Sequence, residues 1–164
     1  MGSYLNPGSD LFKMALGSQI FVDKSGLIEK TNRCVRTLQR YMCVSRPRRF
    51  GKSMAADMLA AYYDRSVDTD ELFQNLKINS TEDYKKHLNQ YDVIKINMQE
   101  FLSATDNVEK MLDMLSRYLI FDLKEQYEEV HFRDENNLIQ VMKDVYNYTR
   151  HPFVILIDEW DCLF

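Results

Sequence analysis

The octapeptide Arg46-Pro47-Arg48-Arg49-Phe50-Gly51-Lys52-Ser53 concentrates residue types that can hold a phosphate chain. Gly51 lets backbone approach phosphate oxygens where a Cβ would collide. If a helix opens at Lys52, its first amides lack intrahelical acceptors and point at the anion. The Lys52 ammonium can then reach the outer phosphates as a point charge. The Ser53 hydroxyl is the hard oxygen donor that Mg²⁺ prefers. The usual phosphate-binding loop opens on a glycine where this sequence has Arg46. Gly-Lys-Ser alone arises often by chance, so the flanking elements carry the argument.

A second constellation lies near the end of the chain. Phe153-Val154-Ile155-Leu156-Ile157-Asp158-Glu159 is an apolar run closed by two carboxylates, a Walker B shape. Acidic residues at the C-terminal end of a buried parallel strand lie at the sheet edge where ligands bind. Asp158 could hold Mg²⁺ through water, and Glu159 could polarise an attacking water as general base. Without a phosphate loop upstream, the same pair would read as a solvated strand end.

The charge distribution agrees with an anion site. The net charge is −4, yet Lys30 to Ala56 carries eight basic residues and no acidic one, against 13 basic and 25 acidic elsewhere. A basic stretch in an acidic protein points to a bound anion more than to a general coat on nucleic acid. Arg33, Arg36 and Arg40 read as a solvated helix face. Arg46, Arg48, Arg49 and Lys52 sit in a short loop.

These residues need strands and helices to place them. Tyr41 to Ser45 is a short apolar run that predicts a buried strand before the loop, and Met54, Met58, Leu59 and Tyr62 predict a helix over 52–63 after it. A further helix is expected over 24–40, with Leu27, Ile28, Val35 and Leu38 as its apolar side. Short helical pieces are expected around Leu72 and Tyr84, a strand over 93–98, helices over 107–129 and 135–148, and a strand over 153–157. Apolar strands alternating with helices predict an α/β fold with a parallel sheet buried on both faces. Residues 1–22 read as a loose arm, and 23–164 as the remaining domain.

Composition sets outer limits. The 164 residues, 45% hydrophobic and 28% charged, suit one globular domain and exclude collagen-like or wholly disordered chains. Cys34, Cys43 and Cys162 form no C-x-x-C pair, and with His87, His131 and His151 they give no zinc spacing. They read as thiols of a reducing, cytoplasmic compartment. No secretory or myristoylation signal and no bilayer-spanning run is expected.

The stretches YLNPGSD, FVDKSGLIEKT, CVSRPRRFGKSMAADMLAAYYDRS, LFQNLKI and FVILIDEWD resemble the bacterial AAA-ATPase-like family, a divergent branch of P-loop NTPases. In that family an R-P-R-R-F-G-K-S loop replaces the usual Walker A, so Arg46 fits its own pattern. The resemblance covers almost the whole chain. It implies a P-loop NTPase-like parallel sheet sandwiched by helices, binding of Mg-ATP, and ATP hydrolysis in the full-length protein. It implies a phosphate cradle of Arg49, Phe50, Gly51, Lys52, Ser53 and Met54. It also implies Ser53 and Asp158 as the Mg²⁺ residues and Glu159, with Lys52, as catalytic groups. Members often continue into a PD-(D/E)XK nuclease-like domain, for which these residues hold no counterpart.

Several roles stay open at this level. Asp23 and Lys24 recur in the family; they either lie near the nucleotide or start a helix, with Asp23 as its N-cap. Arg48 and Arg49 either add phosphate contacts or face a partner. Asp158-Glu159-Trp160-Asp161 has a helicase-like form, but the first motif differs from that of helicases, and Trp160 reads as packing. The rival class is a non-catalytic module that binds nucleotide or nucleic-acid phosphate without turnover. Steep weakening with salt would mark nucleic-acid binding. The three expected strands would leave a sheet edge or face uncovered. The expectation is therefore a sheet cut short after the Walker B strand, completed by further chain or a protein partner and hydrolysing ATP poorly alone.

Overall fold

The computed structural model describes residues 2–45, 49 and 51–164. Arg46, Pro47, Arg48 and Phe50, four residues of the predicted loop, lie outside the described residues. The chain forms an α/β structure of two compact units. One joins the residues up to Pro7 with Tyr91–Phe164, and the other is Gly8–Gln90.

The first unit is built on a parallel pair of strands, β1 (Asp92–Asn97) and β2 (Phe153–Asp158), in register from Asp92 opposite Phe153 to Asn97 opposite Asp158. Parallel neighbours require a long crossover. Here it runs through α6 (Met98–Ser103), α7 (Val108–Gln126) and α8 (Leu138–Thr149). Each of these three helices starts where an asparagine side chain accepts an early amide: Asn97 from Gln99, Asn107 from Lys110 and Asn137 from Gln140. Ile94, Ile96, Phe101, Met111, Leu123 and Val145 form the heart of the core. The apolar residues of α7 divide: Met111 and Leu119 are buried, whereas Val108, Leu112 and Tyr118 remain substantially exposed.

Residues 2–7 are not a loose arm. Leu5 is fully buried and bridges Ile94 antiparallel, on the edge of β1 away from β2. The Asp122 carboxylate, on α7, accepts the amides of Tyr4 (2.7 Å) and Leu5 (3.1 Å). Buried Asp92 accepts from Asn6 Nδ2 at 2.9 Å and from Tyr127 Oη at 2.6 Å. A hydrogen bond to a charged group contributes about 1.5–3 kcal/mol. Tyr127→Phe is therefore expected to destabilise this unit by about that amount, read from urea unfolding; an unchanged midpoint would show that the network adds nothing.

The second unit contains α1 (Asp10–Leu16), α2 (Gly26–Cys34), α3 (Lys52–Tyr63), α4 (Asp70–Phe73), a 3₁₀ turn (Lys77–Ser80) and α5 (Tyr84–His87). Helix α3 matches its predicted span, and its last half, Met58 to Tyr63, is buried. Tyr62 and Tyr63 fix it to α2: Asn32 Nδ2 donates to Tyr62 Oη (3.0 Å) and Tyr63 Oη donates to Asn32 Oδ1 (2.7 Å). Tyr62 Oη in turn donates to the Tyr84 carbonyl at 2.7 Å. Phe12 of α1 stacks on Phe73 at 5.2 Å, so the expected loose arm is ordered here too. The long helix expected over 24–40 stops at Cys34, because Val35 is extended and Arg36 takes a left-handed backbone.

The strand expected at Tyr41–Ser45 does not form, and among the described residues the sheet has two strands rather than three. These residues are exposed, Tyr41 at 84%. An apolar run becomes a strand only where another strand accepts its backbone, and among the described residues the ladder joins β1 to β2 and to Leu5, with no pairing to 41–45. Nor is β2 buried on both faces: Ile155 and Ile157 are each about half exposed. No helix of the described residues is long and apolar enough to cross a membrane.

Candidate functional site

In the second unit, Gly51-Lys52-Ser53 of the predicted loop form the start of α3. Gly51 is its N-cap, with φ 73° and ψ 32°, the left-handed region that favours glycine. The first α-helical bond runs from the Ala55 amide to the Gly51 carbonyl at 2.9 Å. The amides of Lys52, Ser53 and Met54 therefore precede the intrahelical ladder. No acidic residue stands in the first turn. Lys52 and Met54 are half-buried, while Ser53 and Arg49 are exposed. The positive end of the helix, the Lys52 ammonium and an absent Cβ make a place that favours an anion.

A residue from elsewhere in this unit joins the loop. A Cβ built on Gly51 would lie 2.7 Å from Lys24 Nζ, so the Lys24 ammonium lies against the Gly51 turn. Asp23 holds the base of that approach. Its carboxylate accepts the Ser25 amide and, across the fold, the Lys77 amide, both at 2.8 Å. Partial burial pushes the Asp23 carboxyl up, but these hydrogen bonds outweigh it and hold the group below the usual carboxylate range. Asp23 is thus not the side-chain N-cap of α2 that one reading expected; Ser25 occupies that position.

Gly51→Ala is expected to cost about 1–2 kcal/mol of stability from the left-handed backbone alone. The new methyl must also push the end of the Lys24 side chain aside. Chemical denaturation of the variant measures the first effect, and a wild-type midpoint would contradict the backbone conformation.

The two carboxylates lie together in the first unit. Asp158 is the last residue of β2, and its Oδ1 accepts the Glu159 amide at 2.9 Å. Both are half-buried. Glu159 has φ 54°, left-handed for a residue with a Cβ. Among the described residues, six non-glycine residues share this feature: Asn6, Arg36, Arg49, Asn89, Arg150 and Glu159. Asparagine tolerates it, and Arg36 and Arg150 follow the ends of α2 and α8. Arg49 and Glu159 remain, one in each motif, and such strain clusters at functional positions. Trp160 and Asp161 lie on a closing 3₁₀ turn (Trp160–Leu163); both are exposed, and Trp160 meets Phe164 edge-on at 6.0 Å.

A family model described as a predicted AAA-ATPase matches residues 9–164. The chain belongs to the AAA-ATPase-like family. The match takes in both motifs and the Asp23-Lys24 pair. No curated protein and no solved structure matches the chain. The approach of Lys24 to Gly51 is not legible in the spacing of the two motifs, because Lys24 lies 27 residues before Gly51.

Proposed function

We propose that this AAA-ATPase-like chain binds Mg-ATP and serves as an ATPase of the P-loop NTPase kind. The observation that carries the reading is the left-handed Gly51 turn at the start of α3, where a Cβ is absent, Lys24 Nζ lies against the turn and Lys52 is the first helical residue. That arrangement suits a phosphate chain in charge and in space. In this reading Gly51 to Met54, with Arg49 and Phe50, hold the phosphates. Ser53 and Asp158 are the Mg²⁺ residues, and Glu159 accepts a proton from the attacking water. Bound Mg²⁺ would neutralise phosphate charge; the protein's own part is to hold and orient the phosphates and to take up the proton at the Glu159 carboxylate. Family membership supports ATP as the nucleotide. Calorimetric titration with ATP, in Mg²⁺ and then in EDTA, tests the proposal. Saturable binding strengthened by Mg²⁺ is expected, and no binding in either condition would refute it.

A further inference from the structure

A cation is an unexpected neighbour for the beginning of a helix. The partial positive charge of the exposed amides there favours acidic side chains and repels basic ones. Helix α3 has the reverse arrangement, with no acid in its first turn, Lys52 as its first residue and Lys24 Nζ against its N-cap. An anion held at the start of α3 would meet the positive end of the helix and the Lys24 ammonium together.

Lys24 is also delivered with some care. It stands between two residues that are both tied to the 3₁₀ turn at Lys77–Ser80. Asp23 accepts the Lys77 amide at 2.8 Å, and fully buried Ser25 accepts the Ile78 amide through Oγ at 3.1 Å. A lysine on a solvated loop would lose side-chain and backbone freedom on meeting a ligand. Here the backbone freedom is already removed on both sides of Lys24. Lys24 and Lys52 also come from different elements, so their ammonium groups can meet successive phosphates of one chain.

We propose that Lys24 is a second phosphate-binding residue of the loop, contacting the phosphate chain of the nucleotide alongside Lys52, with Asp23 as its positioning residue. This inference rests on the Mg-ATP reading above.

The experiment has two arms. In the first, surface lysines of the wild-type protein are acetylated with and without saturating Mg-ATP, and each site is followed by mass spectrometry. Lys24 and Lys52 are expected to be protected several-fold, whereas Lys13 and Lys85 keep their rates. In the second, Mg-ATP is titrated into Lys24→Ala and Lys24→Arg, with thermal melts to check folding. Lys24→Ala is expected to bind about tenfold more weakly, the scale of one charge-assisted contact, and Lys24→Arg to recover part of that loss. Protection of Lys52 with an unchanged rate at Lys24, or wild-type affinity in Lys24→Ala, would overturn the role of Lys24 and leave the Mg-ATP reading standing. Absence of Mg-ATP binding in the wild type would remove both. The labelling arm needs no variant, so misfolding of Lys24→Ala cannot shelter the proposal.

Discussion

Glu159→Gln is expected to lower ATP turnover by about 10²–10⁴-fold, the usual contribution of a positioned general base, while leaving Mg-ATP affinity nearly unchanged. The substitution keeps shape and removes only the ability to take a proton. The local backbone should persist, because the Glu159 amide donates to Asp158 Oδ1 and not to a partner of its own side chain. Phosphate release is the readout, in a form of the protein whose wild type turns over ATP. Asp158→Asn is the contrasting control: loss of the metal-holding charge should erase the difference between titrations in Mg²⁺ and in EDTA. Undiminished turnover in Glu159→Gln would mean that another group accepts the proton.

Lys52→Ala is expected to weaken Mg-ATP binding by about 10- to 100-fold. A charge-assisted hydrogen bond contributes about 1.5–3 kcal/mol, and each 1.4 kcal/mol is a factor of about ten. The fold should survive. Lys52 is half-buried at the first position of α3, alanine is a strong helix former, and the helix is anchored by Met58 to Tyr63 at its other end. A fluorescent ATP analogue gives the affinities and a thermal melt checks the fold. Equal affinities in the two proteins would sink the phosphate-loop assignment.

The elements that hold these residues differ in how visible they were beforehand. Helix α3 was legible because Met58, Leu59 and Tyr62 recur at helical spacing and Gly51 marks the start. Strand β2 was legible because five apolar residues in a row follow a proline break. The α2 span was overestimated: Val35 and Leu38 continue the apolar rhythm, yet Leu38 is 92% exposed, because no core surface meets it. Asp122 and Asp92 gave no signal at all. A buried carboxylate is recognised by the amides and hydroxyls that reach it, and Tyr4, Leu5, Asn6 and Tyr127 are remote from these in sequence.

Local chemistry therefore determined α3, α7, α8 and the two strands of the sheet, the glycine turn at Gly51-Lys52-Ser53 and the carboxylate pair closing β2. Those features depend on near neighbours: side-chain periodicity, a glycine able to adopt φ 73°, and amides left over at the start of a helix. Only the tertiary structure decided which apolar runs became strands and which distant groups met. Tyr41–Ser45 has strand-like residues but stays outside the sheet, because a ladder needs a second backbone and that partner is not encoded in the run itself. Lys24 reaches Gly51 for a related reason: the hydrogen bonds from Lys77 and Ile78 that pin its neighbours come from a turn more than fifty residues away.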